Sequence, residues 1–170
     1  MKHEVHPAAL SEEDLLSQCE ITRTRRSGPG GQHRNKVESA VVIKHLPTGI
    51  RAEANERRSQ AENRRNAILR LRITLAVECH DDSASDREPS SLWKSRCASD
   101  RIEVNPQHDD YPALLTEALG ILRAADFDVK KAAEVLQVSA TQLVKFLKTD
   151  SRAIQQVNDD RAERGLRRLR

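Results

Sequence analysis

Aromatic side chains are scarce in this sequence of 170 residues, 2% in all, and the four present (Trp93, Tyr111, Phe127 and Phe146) all lie in its second half. The first half must therefore build its core from Val, Ile, Leu and Ala. Long apolar runs are also missing, and no stretch approaches the roughly 20 residues of a membrane-crossing helix. Met1-Lys2-His3-Glu4 leads into acidic residues, unlike a secretory signal or an Arg-rich transit peptide, so a cytoplasmic protein with no membrane partner is expected. The three cysteines, Cys19, Cys79 and Cys97, show no CxxC or His/Cys spacing. They read as reduced thiols, and neither a metal site nor a cofactor is expected. The histidines are scattered, and none has an identifiable acid partner; His33, His45 and His80 read as surface residues rather than bases. With no Ser/His/Asp or Cys/His constellation, any chemistry here needs groups that the chain does not carry.

Net charge is only +3, with 37% hydrophobic and 32% charged residues. The distribution is uneven: residues 1–20 sum to −4, residues 21–75 to +9 and residues 76–170 to −2. A basic face is often no more than a solvated helix surface. Here the positive charge surrounds a cluster of glycines, which favours a phosphate-backbone partner.

That cluster is Ser27-Gly28-Pro29-Gly30-Gly31-Gln32-His33-Arg34-Asn35-Lys36, with three of the six glycines of the chain in four positions. Arg23, Arg25 and Arg26 precede it. Glycines without a Cβ let a backbone approach another molecule closely. A dinucleotide-binding fingerprint fails at His33, where its third glycine belongs, and a Walker A loop fails at the same position.

Along the chain, Ser11 caps an acidic first turn and starts a short amphipathic helix over 11–18. Alternation over 20–26 predicts a strand entering the loop. Asn35–Ala40 has room for one or two helical turns. Residues 40–46 and 50–54, around Pro47-Thr48-Gly49, predict a hairpin. From Asn55 a long helix is expected, with Ile68, Leu71 and Leu75 on its apolar stripe and Ala67 beside it. Residues 79–91, rich in Ser and Asp, read as a linker. A short strand over 101–105 and helices over about 111–125, 129–136, 140–148 and 151–163 follow. The predicted fold class is α+β: a small domain at 20–78 with a short mixed or antiparallel sheet, a short helix after the loop and one long packing helix. An acidic helical segment (1–19) precedes it, and a mainly α-helical domain (92–170) with a basic end follows the linker.

Arg26-Ser27-Gly28-Pro29-Gly30-Gly31-Gln32-His33, with Asn35-Lys36 and Glu38-Ser39-Ala40-Val41, resembles the GGQ domain of class I peptide chain release factors. The likeness continues through His45-Leu46-Pro47-Thr48-Gly49-Ile50 and Arg58-Ser59-Gln60-x-x-Asn63-Arg64, covering roughly residues 20–76. Arg34 departs from it, standing where that family usually has an apolar residue. The resemblance implies a loop that enters the peptidyl-transferase centre of the large ribosomal subunit. There it promotes attack of water on the ester joining peptide to tRNA. Gln32 would be catalytic: its backbone N–H stabilises the developing oxyanion or leaving group, and its side chain positions water and is a methylation target in relatives. Gly30 and Gly31 would permit the loop conformation. Candidate RNA contacts are Arg23, Arg25, Arg26, Ser27, His33, Arg34, Asn35, Lys36, Arg57, Arg58, Gln60, Arg64 and Arg65. The implied partners of a monomer are the ribosome, peptidyl-tRNA and a glutamine methyltransferase acting on Gln32. No candidate stop-codon-reading domain is legible, so the short, codon-independent members that rescue stalled ribosomes are the closer comparison. The alternative is an RNA- or ribosome-binding protein that does not hydrolyse.

Asp128–Lys148 resembles a Fis-type helix-turn-helix. Ala132, Ala133 and Leu136 face inward, Val138-Ser139 makes the turn, and Leu143, Val144 and Leu147 line the second helix. Ser139-Ala-Thr-Gln142 fits a capping box, and Thr141, Gln142, Lys145 and Lys148 form the outer face. Any small helical bundle also produces such a pattern, and residues 126–149 sum to only +1. The C-terminal Arg161–Arg170 is basic and short, and a tail entering the vacant mRNA channel is one expectation for it.

Overall fold

The computed structural model describes residues 5–24, 40–80 and 88–170. Its contacts divide the chain into two units, one of Pro7–Leu75 and the other of Ala76–Arg170 with the residues before Pro7. The division falls inside a helix, and each unit has its own core.

The first unit begins with a 3-10 turn, Pro7–Ala9, and helix α1, Glu12–Ser17, whose N-cap hydroxyl on Ser11 accepts the Asp14 N–H at 3.0 Å. Strands β1 (Cys19–Thr24), β2 (Ala40–His45) and β3 (Arg51–Ala54) form an antiparallel sheet with β2 in the middle. Register runs from Cys19↔His45 to Thr24↔Ala40 on one side of β2, and from Val41↔Ala54 to Lys44↔Arg51 on the other. The β2–β3 turn closes with Gly49 at φ 72°, where a side chain would be strained. Helix α2, Gln60–Glu78, contributes Ala67, Ile68, Leu71, Ile73 and Leu75 to the core. Val41, Ile43 and Ala54 supply the sheet's share, and Leu15 that of α1. The apolar part of this core is aliphatic, as the missing aromatics require.

The sheet is antiparallel, one of the two forms expected. Two expectations change here. Helix α2 starts at Gln60 rather than at Asn55, because the backbone of Asn55 bonds to the Glu56 side chain and both backbone groups of Arg57 bond to the Asn63 amide. His45 is buried, at 1% exposure, rather than on the surface. Alternation along β2 puts it on the inward face with Val41 and Ile43. Of the helical turns expected over Asn35–Ala40, Ala40 is the first residue of β2 and the rest lies outside the described residues.

In the second unit, helix α3 (Ser91–Arg96) and a hairpin of β4 (Cys97–Ala98) and β5 (Arg101–Ile102) precede four helices. These are α4 (Tyr111–Ala124), α5 (Val129–Val135), α6 (Ala140–Leu147) and α7 (Ser151–Glu163). Its core holds all four aromatics: Trp93 and Tyr111 both meet Phe146 edge-on at 5.7 Å, and Phe127 closes the end of α4. The Trp93 indole donates to the Leu136 carbonyl at 2.9 Å, tying α3 to α5. Helix α3 is absent from the sequence reading, and the expected strand over 101–105 shrinks to two residues. In α6, Phe146 is buried while Val144 is only half-buried, so the inward row differs by one position from the expected one. The basic end folds back on α7. Leu169 donates to Asn158 Oδ1 at 2.7 Å, Arg161 Nε donates to the Arg167 carbonyl at 2.8 Å, and the Arg164 guanidinium lies 4.5 Å from the Phe127 ring centre.

Among the described residues no helix is long and apolar enough to cross a membrane. Nor does any group of three or more His, Cys, Asp or Glu come together there to hold a metal ion.

Candidate nucleic-acid interface

Residues 25–39 join the paired ends of β1 and β2. They carry Arg25, Arg26, Ser27, Gly30, Gly31, Gln32, His33, Arg34, Asn35 and Lys36, which therefore lie outside the described residues. What is described is the root of this loop. Thr24 pairs with Ala40, and the next row across the sheet is Arg23–Val41–Ala54. The chain leaves β3 just past Ala54. The loop and the β3–α2 connection, Asn55–Ser59, therefore emerge at the same end of the sheet.

This register gathers Arg23, Arg57, Arg58 and Gln60 at that end. Arg23, Arg57 and Arg58 are exposed, and among the described residues none has a carboxylate partner. Arg64 and Arg65 follow in the early turns of α2. Arg65 is exposed, whereas Arg64 donates to Glu12 at 2.9 Å. That pair is about half-exposed on both sides (43% and 53%) and contributes little to stability.

The β3–α2 connection is held by a network that sequence reasoning did not anticipate. Asn63 is fully buried, and its side-chain amide grips one backbone residue twice. Oδ1 accepts the Arg57 N–H at 2.9 Å, and Nδ2 donates to the Arg57 carbonyl at 2.8 Å. Glu56 accepts from Arg70 Nη2 at 2.8 Å, Asn66 Nδ2 at 2.9 Å and the Asn55 N–H at 3.0 Å. Arg70 Nη1 also donates to the Glu53 carbonyl at 2.7 Å. Burial pushes the Glu56 carboxyl up. The backbone N–H groups of Glu56 and Asn55, the Arg70 guanidinium and the Asn66 amide outweigh it, and the pKa lies below the ordinary carboxylate value. A signal for Asn63 was available: it sits four residues before Ala67 on the same row as Leu71 and Leu75, and a polar side chain on a buried row must find partners.

At the opposite end of β2, His45 joins Gln18 and Thr48. Nε2 donates to Gln18 Oε1 at 3.1 Å, and the Thr48 hydroxyl lies 2.8 Å from Nδ1. Burial holds the imidazole pKa below its ordinary value. The thiols of Cys19, Cys79 and Cys97 are half-buried, and burial raises each of them, so none has the character of an activated nucleophile.

Comparison with known proteins bears on this interface. The RF-1 domain matches residues 11–109. Over 77 residues, 45% of this chain, the sequence is 43% identical to the chloroplastic peptide chain release factor PrfB1 of Arabidopsis thaliana. That stretch covers 16% of the relative, so the chain spans only a small part of its length.

Proposed function

This chain belongs to the RF-1 domain family, and from that premise we propose that it is a codon-independent, ribosome-dependent peptidyl-tRNA hydrolase acting through Gly30-Gly31-Gln32. The loop at 25–39 enters the peptidyl-transferase centre, and ribosomal RNA with the terminal ribose of tRNA completes a site that the protein does not build alone. The observation that carries this reading is the placement of an intact Gly-Gly-Gln sequence between the paired residues Thr24 and Ala40, beside three exposed arginines that have no carboxylate partner among the described residues.

The chemistry asks little of the protein beyond geometry. Attack of water on the ester carbonyl develops negative charge, and one preorganised donor aimed at that charge is worth about 3–4 kcal/mol. The N–H of Gln32 is that donor, and its side chain orients the water and keeps larger nucleophiles out. Gly30 and Gly31 let the backbone adopt conformations that cost a residue with a Cβ about 1–2 kcal/mol. The remaining contacts are to RNA phosphates: Arg23, Arg25, Arg26, Arg34 and Lys36 around the loop, with Ser27, His33 and Asn35, then Arg57, Arg58, Gln60, Arg64 and Arg65. A glutamine methyltransferase acting on Gln32 is part of the same proposal.

Peptide release from ribosomes loaded with peptidyl-tRNA, with and without a stop codon, tests this reading. Equal release in both cases, lost by at least about a hundredfold in Gly31→Ala, is expected. Ribosome binding without release would instead make this a non-hydrolytic RNA-binding protein, the reading to which the exposed Thr141 and Lys145 on α6 and Lys148 at its C-cap also lend themselves.

A further inference from the structure

The connection between β3 and α2 sorts its charges by sign. Its acid, Glu56, is engaged by Arg70, Asn66 and the Asn55 N–H. The adjacent Arg57 and Arg58 are exposed and have no carboxylate partner among the described residues. A connection of this length with free side chains would let Glu56 neutralise its arginine neighbours. Its carboxylate instead faces the helix, and the two guanidiniums are left without a carboxylate among the described residues.

The backbone that presents them is fixed by Asn63. Placing an amide at 0% exposure on an apolar helix row costs desolvation unless both ends of the amide are paired. A leucine there would extend the Ala67–Leu71–Leu75 row without that cost. Asn63 satisfies the N–H and the carbonyl of Arg57 together, and its own N–H donates to the Ser59 carbonyl at 3.1 Å. The connection is thus pinned on both sides of Arg58. Sheet register places it at the end from which residues 25–39 leave, so a surface reached by the loop is also within range of this connection.

We propose that Asn63, with the Glu56–Arg70 pair beside it, is a positioning residue that holds Arg57 and Arg58 as a preformed clamp for the phosphate backbone of large-subunit RNA. The proposal rests on the release-factor reading and adds to it a second anchor, separate from the catalytic loop. Two guanidiniums on a fixed backbone lose less freedom on docking than two on a mobile one, and their planar forks match phosphate oxygens. The clamp acts on binding and leaves the chemical step alone.

The experiment uses the full chain in four forms: wild type, Asn63→Ala, Arg57→Ala/Arg58→Ala and the triple variant. Binding to vacant large subunits is measured across a salt series, with KM and kcat for peptide release and thermal melts alongside. The arginine double variant changes only exposed side chains. Its binding should weaken on the order of fivefold per arginine near 0.15 M salt, with a salt slope shallower by about one per arginine. KM should rise with kcat at saturating ribosome unchanged. Asn63→Ala should show the same KM-only defect and add little on the arginine-free background, because residues acting through one another are not additive. A wild-type salt slope in the double variant overturns the proposal, whatever Asn63→Ala does to folding. So does an Asn63→Ala defect equally large with and without the arginines. Wild-type binding without any release would sink the hydrolytic reading alone and leave the clamp supported by its salt slopes.

Discussion

His45 and Asn63 are two polar side chains in an aliphatic core, at 1% and 0% exposure, and each is there with its partners. Asn63 grips the backbone of Arg57, and His45 bridges Gln18 and Thr48. An imidazole kept neutral by burial makes stability depend on pH. The unfolded chain takes up a proton near the ordinary histidine value of about 6.5, whereas the folded protein resists until lower pH. The stability contributed by neutral His45 is therefore complete above about pH 6.5 and is lost as pH falls through the depressed folded value. The melting temperature of the wild type should fall between pH 7 and 5.5 more steeply than that of His45→Gln. Parallel slopes would show that His45 does not titrate in this way.

Helix ends carry much of the local logic. Helices α4, α5 and α7 all close with the same paired bonds, in which the second residue past the cap donates to a carbonyl five positions back. The residue in the left-handed position is Gly165 after α7 (φ 69°) but Asp126 after α4 (φ 50°) and Gln137 after α5 (φ 55°). A side chain there costs about 1 kcal/mol, so Gln137→Gly should stabilise the protein by about that amount in denaturant unfolding, and a loss of stability would contradict the assignment. Helices α5 to α7 were legible because polar caps and apolar periodicity agree at their starts, where Asp128, Ser139 and Asp150 accept hydrogen bonds from the first turns. Helix α4 was legible from its apolar residues, since Asp110 makes no side-chain capping bond. Helix α3 was not, since its six residues are too few for a period and Trp93 is fixed by a carbonyl 43 residues away. The start of α2 was misplaced for the same reason, because Asn63 and Arg70 reach back to hold residues 55–59 out of the helix. The Gly-Gly-Gln segment was readable as a motif. Arg23, Arg57 and Arg58 were also named as candidate RNA contacts, but their shared place at one end of the sheet was not legible, because it depends on the register that brings Arg23 level with Ala54.

At the scale of the whole molecule, the net charge of +3 conceals a +9 stretch over residues 21–75, within the region matched by the RF-1 domain. The four aromatics belong to the other unit, so the two halves differ in both core chemistry and charge. A basic unit whose catalytic claim rests on glycine and a backbone N–H fits a reaction in which RNA supplies the remaining groups. The C-terminal arginines are held against α7 through Asn158, Arg161 and Phe127, so threading them into an RNA channel would first require breaking those contacts. The central claim concerns one donor, the N–H of Gln32, and single-turnover peptide release on loaded ribosomes reads it directly. Gln32→Ala keeps that N–H and should lose only what the side chain adds by orienting the water, whereas Gln32→Pro also removes the donor and should be about 100- to 1000-fold slower than Gln32→Ala, with ribosome binding intact. Equal rates for Gln32→Pro and Gln32→Ala would contradict the account.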